Sequence, residues 1–135
     1  MNVLLLDTDV VSFLLKGDSK ANQYAYIIQG NRLALFFMTV AELFQWAAIR
    51  NWGEKRVASL ERSLTKYLII PNDIEVCRIW GNLRAARQGI GKVISPQDAW
   101  IAATAIRHNL PLVTNNTKDF QNISKLQIIT VKQQN

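Results

Sequence analysis

One cysteine and one histidine stand among the 135 residues. A lone cysteine excludes a disulfide framework and any cysteine-rich zinc site, and it suggests a reducing compartment, most simply the cytoplasm. Acids are also scarce, ten Asp and Glu against sixteen Lys and Arg, for a formal net charge of +6. Long apolar runs are missing. The opening run from Val3 to Leu6 is cut by Asp7 and Asp9 and lacks a basic flank, so it does not read as a signal peptide. A membrane span needs roughly eighteen apolar residues without charge, and no such stretch occurs. Internal repeats, low-complexity segments and linkers are absent. So are the glycine-rich phosphate loops of nucleotide-binding proteins.

What is present is a chain with 49% hydrophobic and 19% charged residues, which excludes disorder. Its length predicts one domain over 1–135 with a self-sufficient core. The positive charge leans toward an anionic partner such as nucleic acid. Short apolar runs at Val3–Leu6, 33–37, Leu68–Ile70, 112–114 and 126–131 read as strands. Amphipathic stretches at Thr8–Lys16, 22–29, 39–50, 54–67, 74–88 and Pro96–His108 read as helices. Alternation of this kind predicts a mainly parallel sheet covered on both faces. In such sheets the chemistry gathers beyond the carboxyl ends of the strands, where strand order reverses.

The few acids fall at such places. Asp7 follows the first run directly, and it reads equally as a crevice carboxylate or as a helix-capping aspartate. Glu42 stands three residues after Thr39, the spacing of a capping box, so its plainer role is to satisfy the backbone at Thr39. Asp98 lies in the first turn of a helix opened by Ser95 and Pro96, where the dipole alone would favour an acid. Asp119 follows the 112–114 run, and an ordinary loop aspartate would explain it. Each acid has an everyday account. Together, all four would converge on one edge of a parallel sheet, where like charges repel unless a cation compensates. Carboxylate oxygens with no His or Cys nearby select Mg²⁺ or Mn²⁺ over zinc. An acidic metal cup in a basic protein suits phosphodiester chemistry.

The order Asp7, Glu42, Asp98, Asp119 resembles the acidic quartet of PIN-domain nucleases, and more closely that of VapC-like toxins. The matching blocks are Leu5-Leu6-Asp7-Thr8-Asp9-Val10-Val11, Thr39-Val40-Ala41-Glu42-Leu43, Ser95-Pro96-Gln97-Asp98-Ala99-Trp100 and Leu112-Val113-Thr114-Asn115-Asn116-Thr117-Lys118-Asp119-Phe120. The resemblance spans nearly the whole chain. It implies a three-layer α/β/α sandwich and Mg²⁺- or Mn²⁺-dependent cleavage of RNA. It also implies a toxin role, neutralisation by a small antitoxin protein, and a tendency to form homodimers. Asp7, Glu42 and Asp98 carry over as metal-binding and catalytic acids. Asp119 carries over as a fourth acid; because some relatives place an acid near the position of Asn116, the fourth ligand is direct, water-mediated or absent. Thr8, Thr114 and Asn116 carry over as supporting polar residues.

Other signals receive more ordinary readings. Asp7-Thr8-Asp9 with Leu112-Val113-Thr114-Asn115 also resembles haloacid-dehalogenase-like phosphatases, but the later lysine and acidic pair of those enzymes have no room here. A third possibility is a protein of the same fold that binds RNA or a partner without cleaving. Cys77 reads as core and His108 as a helix-end residue. Trp80 and Trp100 lie at core spacing. Trp46 and Trp52, beside a basic amphipathic helix, fit either a core edge or a partner groove. Arg84 and Arg87 stand where they could reach substrate phosphates, although a solvated helix face would explain them as well.

Overall fold

The computed structural model describes residues 2–17 and 19–131. Five strands, β1 (Val3–Leu6), β2 (Arg32–Phe36), β3 (Leu68–Ile70), β4 (Leu112–Val113) and β5 (Ile128–Ile129), form one sheet in the order β3-β2-β1-β4-β5. All four pairings are parallel. The helices are α1 (Thr8–Lys16), α2 (Ser19–Ile28), α3 (Phe37–Ile49), α4 (Glu54–Leu64), α5 (Ile74–Gly89) and α6 (Pro96–His108). A single 3-10 turn, Thr117–Phe120, lies between β4 and β5. Among the described residues no helix is long and apolar enough to cross a membrane.

The three layers follow from alternation along the strands. On β1, Leu5 turns to one face, where it joins Ala34, Phe36 and Leu112 beneath Ile101, Ala102 and Ala105 of α6. Leu4 and Leu6 turn to the other face and pack with Val10 and Val11 of α1, Tyr24 of α2, Leu43 of α3 and Leu60 of α4. Both faces are covered, so β1 and β2 read as continuous apolar runs rather than alternating ones. Trp80 and Trp100 are half-buried and stack on each other at 4.7 Å between α5 and α6, as their spacing predicts.

Local signals set the ends of several elements. Gly17 closes α1 in the left-handed region, at φ 67°. Ser95 caps α6 through the Asp98 amide, Pro96 occupies its first turn, and Asn109 ends it at φ 53°. The third helix corrects the sequence reading. It begins at Phe37, two residues before the expected start, with Phe36 as a cap that makes no side-chain bond. Thr39 is therefore already helical and fully buried, and no capping box with Glu42 forms. Cys77 is exposed rather than core, because the buried stripe of α5 passes through Val76 instead.

The chain proceeds from β1 outward to β2 and β3, then returns past β1 to β4 and β5. The reversal falls between β1 and β4. A crevice at their carboxyl ends is the expected consequence.

Candidate active site

Asp7 and Thr114, the residues that follow β1 and β4, meet at that crevice. The Asp7 amide donates to the Val113 carbonyl at 2.9 Å, which fixes the two strand ends together. The Thr114 hydroxyl donates to Asp7 Oδ2 at 2.8 Å, and the Thr8 amide donates to Oδ1 at 2.8 Å. Thr114 in turn accepts from the Asn116 amide at 3.0 Å. Asp7 is thus both helix cap and crevice carboxylate, so the two sequence readings describe one residue doing both. Only 7% of Asp7 remains exposed.

Glu42 projects from α3 toward the same place. Released from any capping duty, it accepts from the Thr8 hydroxyl at 3.2 Å, and that hydroxyl lies 3.0 Å from the Thr39 hydroxyl. Asp98 enters from the first turn of α6. Its amide donates to Ser95 in the cap, and its carboxylate is held by side-chain hydrogen bonds to Ser95 and Asp119. Asp7, Thr8, Asp9, Glu42, Asp98 and Asn116 line one cavity of about 240 Å³, together with Met38, Trp46, Gln97 and Ile101.

Four carboxylates in so small a space perturb one another. Burial first, and then the Asp9 charge, push Asp7 up to about 6 against the pull of its Thr114 and Thr8 bonds. Burial and the Asp7 charge push Asp98 up to about 6 as well, with Asp119 adding to the rise. Glu42 and Asp9 are raised in the same way, burial leading and Asp98 contributing to both.

Asp119 sits at the rim of this group. It is exposed on the 3-10 turn, does not line the cavity, and accepts from the Asn116 side-chain amide. It reaches the site through a side-chain hydrogen bond shared with Asp98, through its charge on that residue, and through Asn116. Arg84 and Arg87 do not face the cavity either. Arg84 donates to the Ile94 carbonyl at 3.2 Å, and Arg87 donates to the carbonyls of Lys92 and Gln121, each at 2.9 Å. Both guanidinium groups tie down the backbone of the loop that leads into α6.

The residue that sequence reasoning missed is Asp9. Its Oδ2 accepts from the Asn115 amide at 3.2 Å, while Oδ1 is the one buried side-chain oxygen or nitrogen among the described residues that lacks a hydrogen-bond partner. The signal was visible as the second acid of Asp7-Thr8-Asp9, but a first-turn acid on a helix has an ordinary explanation.

The donor chemistry fits a hard divalent cation. The carboxylates that line the cavity present oxygen alone, repel each other, and include an orphaned buried oxygen. Among the described residues, no three His, Cys, Asp or Glu side chains are arranged to hold an ion directly.

A second concavity of about 440 Å³ adjoins the first. Ser12, Leu15, Lys16, Arg50, Arg56 and Ser59 contribute to its lining, and Trp46 and Trp52 form its aromatic floor. Arg56 lies over the Trp52 ring at 4.2 Å and Arg50 over Trp46 at 5.4 Å. Trp46 lines both cavities.

Comparison with known proteins agrees with this geometry. The PIN domain model matches residues 4–126. The chain is similar to Ribonuclease VapC2 of Haemophilus influenzae, at 30% identity over 128 residues, covering 91% of this chain and 93% of the relative. Its fold is similar to that of VapBC2 from Rickettsia felis bound to a promoter DNA fragment, with a TM-score of 0.83, 25% identity, and coverage of 95% of this chain and 98% of that one. It is also similar to FitAcB from Neisseria gonorrhoeae, with a TM-score of 0.80, 30% identity, and coverage of 93% and 96%. The sheet order, the carboxylates at its switch point and a match over nearly the whole length lead to one conclusion: this chain belongs to the PIN-domain family.

Proposed function

We propose that the protein is a divalent-metal-dependent endoribonuclease and the toxin of a toxin–antitoxin pair. The observation that carries this reading is the cavity at the carboxyl edge of β1 and β4, where Asp7, Glu42 and Asp98 are held close enough to raise one another's proton affinity. Relatives named as ribonucleases, and similar structures solved as VapBC complexes, support the substrate and the partner. The family match leaves the dehalogenase-like phosphatase reading without support.

When bound, Mg²⁺ or Mn²⁺ supplies an activated water and neutralises charge on the phosphoryl group. Asp7 and Asp98 are the carboxylates that would hold the cation. Thr114 and the Thr8 amide keep the Asp7 carboxylate in one orientation. Glu42, steadied by the Thr8 hydroxyl, faces the same space and orients the attacking water or takes its proton. Asp119 acts at the rim, through its hydrogen bond to Asp98 and its charge on that residue, and through Asn116. The incoming oxygen is water's rather than a ribose 2′-hydroxyl's, so its bond to phosphorus forms as the bond to the 3′ oxygen breaks. The products are a 5′-phosphate and a 3′-hydroxyl. The test is end-group analysis of RNA incubated with the purified protein. Cleavage that needs Mg²⁺ or Mn²⁺, stops with EDTA and leaves 5′-phosphates is expected. Metal-independent cleavage to cyclic phosphates would overturn the mechanism.

The groove over Trp46 and Trp52 is our proposed antitoxin site. It combines aromatic and aliphatic surface with the cations Lys16, Arg50 and Arg56. Because Trp46 is a wall of both cavities, a chain lying in the groove leads to the carboxylates, where a basic side chain would compete with the metal. Trp52→Ala should weaken the antitoxin complex by about 2 kcal/mol or more, as loss of a buried aromatic anchor does. Trp52 also packs against the core beside Leu60, so part of the effect falls on folding. Calorimetric titration alongside a melting curve separates the two. Unchanged affinity with lowered stability would refute the groove. The homodimer that the resemblance implies is read by sedimentation of the purified protein.

A further inference from the structure

Tyr24 is the largest fully buried side chain among the described residues, and the mechanism above does not use it. It sits in the middle of α2, behind the sheet from α6, with its ring stacked on Phe13 at 6.0 Å. A phenol hydroxyl that deep needs a partner, since an unpaired buried donor is costly. It finds several at the carboxyl ends of β4 and β5. The hydroxyl donates to Asn115 Oδ1 at 2.8 Å, approaches the Thr114 carbonyl at 3.4 Å, and lies 3.3 Å from the Thr130 hydroxyl.

Asn115 is the next link. Its side chain is gripped by Tyr24, and its backbone amide donates to Asp9 Oδ2 at 3.2 Å. With Oδ2 engaged, the Asp9 carboxylate is set with Oδ1 buried and unpartnered, in the lining of the acidic cavity. Asn115 also lies between Thr114, which holds Asp7, and Asn116, which holds Asp119. One buried hydroxyl therefore fixes the short segment from which three of the site's acids take their hydrogen bonds. Burial holds the Tyr24 hydroxyl's proton affinity above the ordinary tyrosine value, against the pull of its Thr130 and Val131 contacts, so it serves as a neutral donor.

We propose that Tyr24 is a positioning residue of the active site, acting through Asn115 to fix Asp9 and its unpartnered oxygen toward a divalent cation. This rests on the metal-dependent reading above. Groups that orient metal-binding side chains from behind typically change metal affinity or activity by roughly 10- to 100-fold when removed. A tyrosine that merely fills the core would change stability alone.

Tyr24→Phe keeps the ring and removes the hydroxyl. Calorimetric titration of the protein with Mn²⁺, without RNA, should show affinity weakened by about tenfold. Steady-state cleavage at saturating Mn²⁺ should show kcat lowered with KM for RNA unchanged, since Tyr24 does not touch substrate. Asn115→Ala removes the acceptor but keeps the amide that holds Asp9, and it should lose Mn²⁺ affinity to the same extent. The double variant should lose no more than either single one, because both break one chain of contacts. If Tyr24→Phe fails to fold, Asn115→Ala decides alone. A folded variant with wild-type Mn²⁺ affinity and kcat would overturn the proposal while leaving the metal-dependent reading intact. A wild-type protein that neither binds Mn²⁺ nor cleaves RNA would sink both.

Discussion

Asp98→Asn is expected to cut RNA cleavage by on the order of a thousandfold while leaving the melting temperature unchanged or higher. Losing one carboxylate from a metal-assisted site removes several kcal/mol of charge stabilisation in the transition state. The same carboxylate is a burden on the fold when no cation is bound. Burial and the Asp7 charge hold its proton affinity near 6, so at neutral pH the folded protein must keep it ionised in an unfavourable place. Asparagine keeps the shape and removes the charge. The amide of residue 98 still donates to Ser95, so the cap of α6 survives. Were Asp98 only a first-turn acid, the substitution would cost about 0.3–1 kcal/mol of stability and spare activity. Cleavage rate and melting curve measured on one preparation separate the two outcomes, and a stable, fully active variant would end the catalytic assignment of Asp98.

The parallel sheet and its helices were legible because each carries a periodic or punctuating signal. Val3–Leu6, Thr8–Lys16, Leu68–Ile70 and Pro96–His108 have the ends read from sequence, since Asp7, Gly17, Pro71, Ser95 and Asn109 mark their limits. The start of α3 was misread for a physical reason. Thr39-x-x-Glu42 has the spacing of a capping box, but Phe36 already ends the strand, and helix can begin without a polar cap when tertiary packing holds it. The last strands were overextended because Thr114 and the mixed residues on either side of Ile128–Ile129 have strand-forming character, yet only two residues in each pair across the sheet.

The site was legible in outline and not in its linkages. That Asp7, Glu42 and Asp98 share a cavity follows from their places after strands or at helix starts. That Thr8 serves Glu42 could not be read locally, because the contact joins residues 34 apart in the chain. Tyr24 meeting Asn115 spans 91 positions, and nothing at the Tyr24 end distinguishes it from a core aromatic. Arg84 and Arg87 show the converse. Basic residues near a functional loop suggest phosphate binding, yet the Ile94 and Lys92 carbonyls on that loop, and Gln121 beyond the 3-10 turn, are the acceptors they meet.

Without divalent cation, the protein should become more stable as the pH is lowered from 7 toward 5. Unfolded, Asp7 takes up its proton only near 3.8, whereas in the fold it does so at about 6. Between those values the folded state binds more protons, so stability falls as pH rises through the window and levels off above it. Asp98 is raised to about 6 too, and Asp9 and Glu42 are raised in the same direction, so the four act together. For Asp7, which is nearly buried, the strain of staying ionised at neutral pH amounts to roughly 3 kcal/mol, or up to about 10 °C in melting temperature for a domain of this size. Asp7→Asn should flatten much of the slope. Saturating Mg²⁺ should do the same for the native protein, because a cation that binds only the ionised, folded site stabilises it most where the carboxylates repel most. Thermal melts from pH 5 to pH 8, with EDTA and with Mg²⁺, measure both effects. Apo stability that is flat or rising with pH over that range would mean that the carboxylates are not crowded in solution, and the case for a cation at this cavity would lose its physical basis.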